Sequence, residues 1–564
     1  MSSLLIACIV FAGYIVAYHT YGKFLAQKIF KVDPEATCPS ETLRDNIDFV
    51  PTNKHVLFGH HFTSIAGLGP IVGPAIAIIW GWVPAVLWVF FGSIFMGAVH
   101  DFGSMIVSIR GKGRSIGDLA SGIINSRVRT LFLLIIFFEL LIVIAVFALI
   151  IAILFSMYPV AVIPVWLEIP IAIFLGYLVY KRGKSHVTLG IVAVLIMYVT
   201  VVIGAFVPLE IPAILGLNSL AVWIVILLIY AFIASTLPVQ TLLQPRDYIN
   251  SHQLIVAMVL LSLGVLVSHP QVVAPALDIA PEGAPPILPF IFVVIACGAI
   301  SGFHSLVSSG TSSKQCDSEK STRFIGYGGM LMEGALSTLV IIAVAAGIGL
   351  GLKTEGELLT GVSAFNHHYS NWTAASGLGA KLAAFVTGSA NMIEAIGIPP
   401  KITIAIMGVF LVSFAATSLD SATRIQRYVV SELATAWNLK LFTTKRNATL
   451  VAVITAFILA FSNGSGEGAL TLWPLFGTVN QLLAGLALLV ITIYLAKRKV
   501  KVRYTVFPMI FMVCMTGWAM LVNLRNFYGD TNWLLLVIGL AVFALEIWMI
   551  AESVIVVRKV KRGK

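Results

Sequence analysis

Along most of this chain the apolar residues come in unbroken runs, not in stripes along one face of a helix. Runs of roughly 17 to 28 residues, long enough to cross a bilayer as helices, recur about fifteen times. Their approximate extents are 4–30, 60–80, 83–109, 129–157, 165–181, 187–208, 219–243, 250–269, 287–310, 328–352, 402–421, 447–462, 469–496, 504–523 and 532–557. Helices that are apolar all round must be surrounded by lipid or by other helices, so the pattern predicts an all-α, polytopic membrane protein. The two longest polar intervals are 31–58 and 353–401, and the second holds an amphipathic piece, Leu378 to Ile396.

One run departs from the pattern. Residues 58–77 read FGHHFTSIAGLGPIVGPAIA, with Gly67, Gly69, Pro70, Gly73 and Pro74 inside eight positions. Lipid cannot satisfy the backbone groups such a break leaves free, so protein, water, an ion or a substrate must do so. Transporters place discontinuous helices of this kind at the bilayer midplane and bind their ligands there. A second break is expected at Pro238, in ASTLPVQTLLQPRDY, five spans later and in the opposite orientation.

Composition changes the class from polytopic by pattern to polytopic by necessity. The 564 residues are 59% hydrophobic and 11% charged, too apolar for a soluble core to hide. Net charge is +11, but Lys and Arg sit in short clusters between spans, so the excess reports topology and no nucleic-acid partner. Arg110 to Arg129, Lys181 to Lys184, Arg246, Lys314 to Arg323, Arg424 with Arg427, Lys497 to Arg503 and the tail from Arg558 to Lys564 mark one side. Glu210, Asp278 with Glu282, and Glu467 mark the other, which places the N-terminus outside and the C-terminus inside. Leu4 to Val16 lacks a preceding basic region and is expected to be a first span, not a cleaved signal. Cys8, Cys38, Cys297, Cys316 and Cys514 are dispersed and signal neither a disulfide framework nor a zinc site. No P-loop or HExxH motif occurs, so neither a nucleotide-driven pump nor a zincin enzyme is indicated, and no cofactor is expected.

Two mirrored breaks separated by five spans are the arrangement of an inverted five-plus-five repeat. It resembles the LeuT fold, with one helix before the core and about four after it. On that reading residues 1–57 hold the first helix and an inner loop, 58–210 repeat one, 211–425 repeat two with its outer loop 353–401, and 426–564 a C-terminal four-helix region.

Candidate chemistry follows from the breaks. Gly67, Gly69, Pro70 and Gly73 open a half-helix whose free N–H groups attract an anion, with Ser235, Thr236, Pro238 and Gln240 as the opposite wall. The LeuT-like resemblance implies a cation held by the first break and by hydroxyls of the eighth core helix, counted as 287–310, where Ser305, Ser308, Ser309 and Thr311 stand with His304. Sodium at Ser308 and Ser309, or a proton on His304, Glu139 or Glu333, are the coupling alternatives, since ionisable groups inside a bilayer default to function. His60 and His61, about 100° apart on a helix, read as a gate or proton relay at the inner mouth with Asp101. Asp101, His100 and Asp420 otherwise read as helix-end groups.

At these residues a more specific resemblance emerges. FGHHFTSIAGLGPIVGPAIA, HDFGSM at 100–105, LLQPRDY at 242–248, SGFHSLVSSGTSSKQ at 301–315 and LWPLFGTVNQLLA at 472–484 together resemble the carbon starvation protein A (CstA) family of bacterial inner-membrane transporters. The resemblance implies uptake of peptides or pyruvate, with proton coupling for the pyruvate members. A membrane nutrient sensor that binds the same ligand without moving it is the alternative.

Overall fold

The computed structural model describes residues 2–214, 216–354 and 356–561; the end of the basic tail, 562–564, lies outside the described residues. In chain order, α1 is Ser3–Ile29. Next, α2 (Lys54–Ala66) and α3 (Gly69–Ala77, continuing to Trp80) meet at 42°. Then come α4 (Trp82–Arg110), α5 (Ser126–Met157), α6 (Pro159–Lys181), α7 (His186–Phe206), α8 (Ser219–Thr236) and α9 (Leu243–Ser268). The short α10 (Ile287–Val294) and α11 (Gly302–Val307) follow, with helical backbone running on to Gln315. The chain closes with α12 (Glu319–Leu350), α13 (Leu378–Glu394), α14 (Pro400–Ala436), α15 (Lys445–Ala460), α16 (Trp473–Lys497), α17 (Arg503–Gly529) and α18 (Trp533–Lys561).

Among the described residues, twelve of these helices are long and apolar enough to cross a membrane, and the bent α2–α3 pair passes that test as one unit. Two further expected spans fall on α10–α11, which is broken, and on α15, which has 16 residues. Helix starts follow local chemistry: Asn53, Asn125 and Asn218 accept hydrogen bonds from backbone N–H groups of α2, α5 and α8 at 2.7–2.9 Å. At the centre, α5 and α14 pack along their lengths, with Arg129 at the start of one donating to the Glu432 carbonyl near the end of the other. The amphipathic α13 packs against α3, α12 and α14.

Three expectations about this layout change. Pro238 does not interrupt a span: it sits in the turn between α8 and α9, two separate membrane-length helices. The second interruption is instead Ile295 to Ser301, between α10 and α11, where Gly298 takes a positive φ. The proposed division at 425/426 falls inside α14, because Arg424 and Arg427 are buried and paired with Asp48 instead of marking a loop. Arg246 likewise lies inside α9 and is 1% exposed.

Candidate functional site: a cavity between two broken spans

The two breaks meet each other. Where α2 ends, Gly67 adopts φ +37°, a conformation that favours glycine, and Pro70 then begins α3 in a position that needs no N–H partner. A Cβ added at Gly73 would stand 2.5 Å from the Val294 carbonyl oxygen, and one at Gly69 the same distance from the Cβ of Cys297. The broken spans run in opposite directions. The Thr52 N–H, just before α2, donates to the Gln315 carbonyl after α11, while the other ends meet where Asp278 N–H donates to Trp80.

Side chains take up the backbone groups the breaks expose. Ser337 Oγ donates to the Pro70 carbonyl at 3.1 Å, Trp88 Nε1 to Ile295 at 2.9 Å, and Gln481 Nε2 to Phe292 at 2.7 Å. Asn480 Oδ1 accepts from the Phe303 N–H at 2.9 Å, and Glu333 Oε1 from the Gly298 N–H at 3.0 Å. The C-terminal α16 therefore completes the second break and is not an accessory to the core.

A cavity of about 740 Å³ opens beside the crossing. Gly67, Gly69 and Gly73 form one wall and Val294, Cys297 and Ser301 another. Most of the remaining lining is apolar, and Lys381 of α13 is its one charged side chain among the described residues. Gly283, Ala284, Pro285, Trp372 and Ser376, from the segments before α10 and α13, also line it. The segment between α1 and α2 is tied to the helix bundle: Asp48 pairs with Arg424 at 2.7 Å and Arg427 at 2.9 Å, and Ser40 Oγ donates to the Cys316 carbonyl. Burial alone would raise the Asp48 pKa, but Arg424, Arg427 and Lys314 outweigh it and hold the carboxyl well below the usual carboxylate range.

The structure brings together some of the sequence candidates and separates others. Gly67, Gly69 and Gly73 line the cavity, while Pro70 stands behind them. Ser235, Thr236, Pro238 and Gln240 are not part of the lining. They lie at the α8–α9 turn, where the Val239 N–H donates to Ile47 and Gln240 Nε2 to Asn46. Thr236 Oγ1 donates back to the Ile233 carbonyl, and Ser235 Oγ is buried without a partner among the described residues.

Ser305, Ser309 and Thr311 donate back to carbonyls one turn earlier at 2.7–3.1 Å, and Ser308 Oγ is buried without a partner among the described residues. Hydroxyls do reach the first break, but from α14: Ser418 Oγ donates to the Ser64 carbonyl at 3.4 Å, and Ser421 Oγ meets Ser64 Oγ at 2.9 Å.

His60 and His61 are fully buried, not at a mouth; His60 pairs with Asp247 and His61 Nδ1 meets Ser312 Oγ at 2.8 Å. Helix α2 starts at Lys54, so the pair lies inside the bundle. Asp101 is also fully buried, held by His100 at 2.7 Å and His304 at 3.1 Å, and His304 Nε2 lies 3.3 Å from Glu333. Glu139 is buried with neither oxygen partnered among the described residues. Asp420 is no helix end: it sits within α14, pairing with Arg246 at 2.5 Å, while Arg246 Nε faces Glu168 at 3.4 Å.

Sequence reasoning missed Lys381, Arg246, Asp247 and Glu168. Lys381 was hidden in an outer loop, although its place on an amphipathic helix was a signal; Arg246 was read as a loop charge. Residues 113–117, GRSIG, have the GxSxG spacing of a nucleophile elbow. Ser115 instead caps a short helix, accepting from the Asp118 N–H and donating to Glu432, with no strand before it.

A family model described as "Carbon starvation protein CstA" matches residues 2–519. The chain is 33% identical over 556 residues to the peptide transporter CstA of Campylobacter jejuni, covering 89% of this chain and 78% of that one. It is 31% identical to the pyruvate/proton symporter BtsT of Escherichia coli, covering 92% and 81%. Among solved structures, a manganese transporter of Eremococcus coleocola aligns with a TM-score of 0.50 at 14% identity, over 92% of this chain and 99% of that one, a likeness of fold alone.

Proposed function

Because this chain belongs to the carbon starvation protein CstA family, we propose that it is a secondary active transporter, not an enzyme, that takes up a small carboxylate nutrient by alternating access. The nutrient is a peptide or pyruvate, and the membrane is the bacterial inner membrane, with the N-terminus outside and the C-terminus in the cytoplasm. The observation that carries this reading is the cavity itself: it sits where two oppositely directed broken spans cross, the arrangement in which alternating-access transporters hold their substrates.

Lys381 supplies the countercharge for a carboxylate, in a cavity that the start of α3 also lines. No Asp or Glu lines the cavity among the described residues, which favours a monoanion such as pyruvate over a zwitterionic peptide. A proton is the preferred coupling ion. Glu139 stands buried with both oxygens free among the described residues, a carboxyl placed to carry one.

Purified protein in liposomes tests the proposal. Labelled pyruvate or dialanine should accumulate when an inward proton gradient is imposed and stop doing so when a protonophore collapses it. Ligand binding with no flux under any imposed proton or sodium gradient would overturn transport in favour of a nutrient sensor.

A further inference from the structure

We propose that Cys297, His304 and Glu333 form a binding site for one transition-metal ion of the Zn²⁺ type, built into the second break beside the cavity. One ligand atom from each residue lies within 4.8 Å of the others. His304 and Glu333 are fully buried, and Cys297 is partly exposed on the cavity wall.

The hydrogen bonds around the trio aim its free atoms at a common point. His304 Nδ1 faces Asp101 Oδ2 at 3.1 Å, and Asp101 is itself fixed through its other oxygen by His100. A carboxylate behind one ring nitrogen is the usual way a protein orients a metal-binding histidine, leaving Nε2 as the ligand atom. Glu333 repeats the logic: Oε1 accepts the Gly298 N–H, leaving Oε2 free. Both His304 Nε2 and Glu333 Oε2 lack hydrogen-bond partners among the described residues, and buried polar atoms left so demand an explanation.

The spacing of the pair also fits a shared ion. Nε2 and Oε2 stand 3.3 Å apart, longer than the roughly 2.7–2.9 Å of a charge-assisted hydrogen bond. Two ligand atoms each about 2.05 Å from a tetrahedral zinc stand about 3.3 Å from each other, the edge of the tetrahedron. The third donor, a thiolate, selects zinc-like ions over magnesium or calcium. Thiolate and carboxylate together balance the two positive charges, which suits a site in a bilayer-embedded bundle. Cys297 on the cavity wall supplies the entry path.

The inference stands on the geometry of the break and needs no substrate, so its test is independent of transport. Chelator-stripped protein in detergent is titrated with Co²⁺. About one ion per chain should bind, giving tetrahedral visible bands and a near-ultraviolet thiolate-to-cobalt transition that Zn²⁺ then abolishes. Cys297→Ser should remove that transition, and Asp101→Asn, which strips the carboxylate from behind His304, should weaken binding roughly 10- to 100-fold. Wild-type protein gives a second readout that needs no variant: Zn²⁺ should protect Cys297 from maleimide labelling in peptide mass spectra. Absence of bound cobalt in folded protein, a transition that survives in Cys297→Ser, or unchanged labelling with Zn²⁺ would overturn the site and leave an ion pair at His304 and Glu333.

Discussion

Gly69 on one broken span and Cys297 on the other touch so closely that a Cβ at Gly69 would lie 2.5 Å from that of Cys297. The glycine exists first to let two interrupted backbones cross, and only through that crossing does it shape a cavity wall. Gly69→Val should therefore abolish uptake and also destabilise the protein by about 1–3 kcal/mol, the cost of overpacking. Gly122→Ala, with open space around the added methyl, should change stability by less than about 0.5 kcal/mol. Melting curves in detergent, read beside liposome uptake, check both; a Gly69→Val protein of normal stability contradicts the packing.

Lys381 is the cavity's lone charged group among the described residues. Lys381→Met should raise the KM for a carboxylate substrate roughly 10- to 100-fold, as expected for losing a hydrogen bond between charged groups. Lys381→Arg should keep part of the affinity. Unchanged KM in Lys381→Met would remove this residue from substrate binding.

Arg246, buried in α9, is held between Glu168 and Asp420. Replacing it with Met leaves two buried carboxylates without their cation, and breaking one partner of a buried pair costs about 3–5 kcal/mol. The expected result is a large drop in melting temperature and poor recovery from the membrane, measured by fluorescence-detected size exclusion. A stable Arg246→Met protein would mean the cluster is hydrated.

Asp48 gives a pH prediction with a definite sign. Its folded pKa lies below the unfolded one, so the stability it contributes is present above the unfolded pKa and lost as pH falls through the folded value. The difference in melting temperature between wild type and Asp48→Asn should be flat from about pH 5 to 8 and shrink below about pH 4. A difference that changes between pH 5 and 8 would assign the titration to another group.

Pro238 occupies a turn between two helices. Pro238→Ala should leave uptake near wild type, whereas a break inside a span would make it costly. Loss of uptake with normal membrane insertion would return Pro238 to the transport path.

The sequence by itself determined what lies between residues near in the chain: membrane-length helices and the glycine–proline break at 67–74. Apolar length and helix-breaking residues act locally, so they can be read from neighbouring letters. Tertiary structure decided the rest. The second break, Ile295 to Ser301, carries no proline and a single glycine, and it exists because Trp88, Glu333, Asn480 and Gln481 reach its backbone from other helices. Arg246, Arg424 and Arg427 read as loop charges until Glu168, Asp420 and Asp48, distant in sequence, are seen to bury them. A buried charge is tolerable only beside its partner, and only the fold brings the two together.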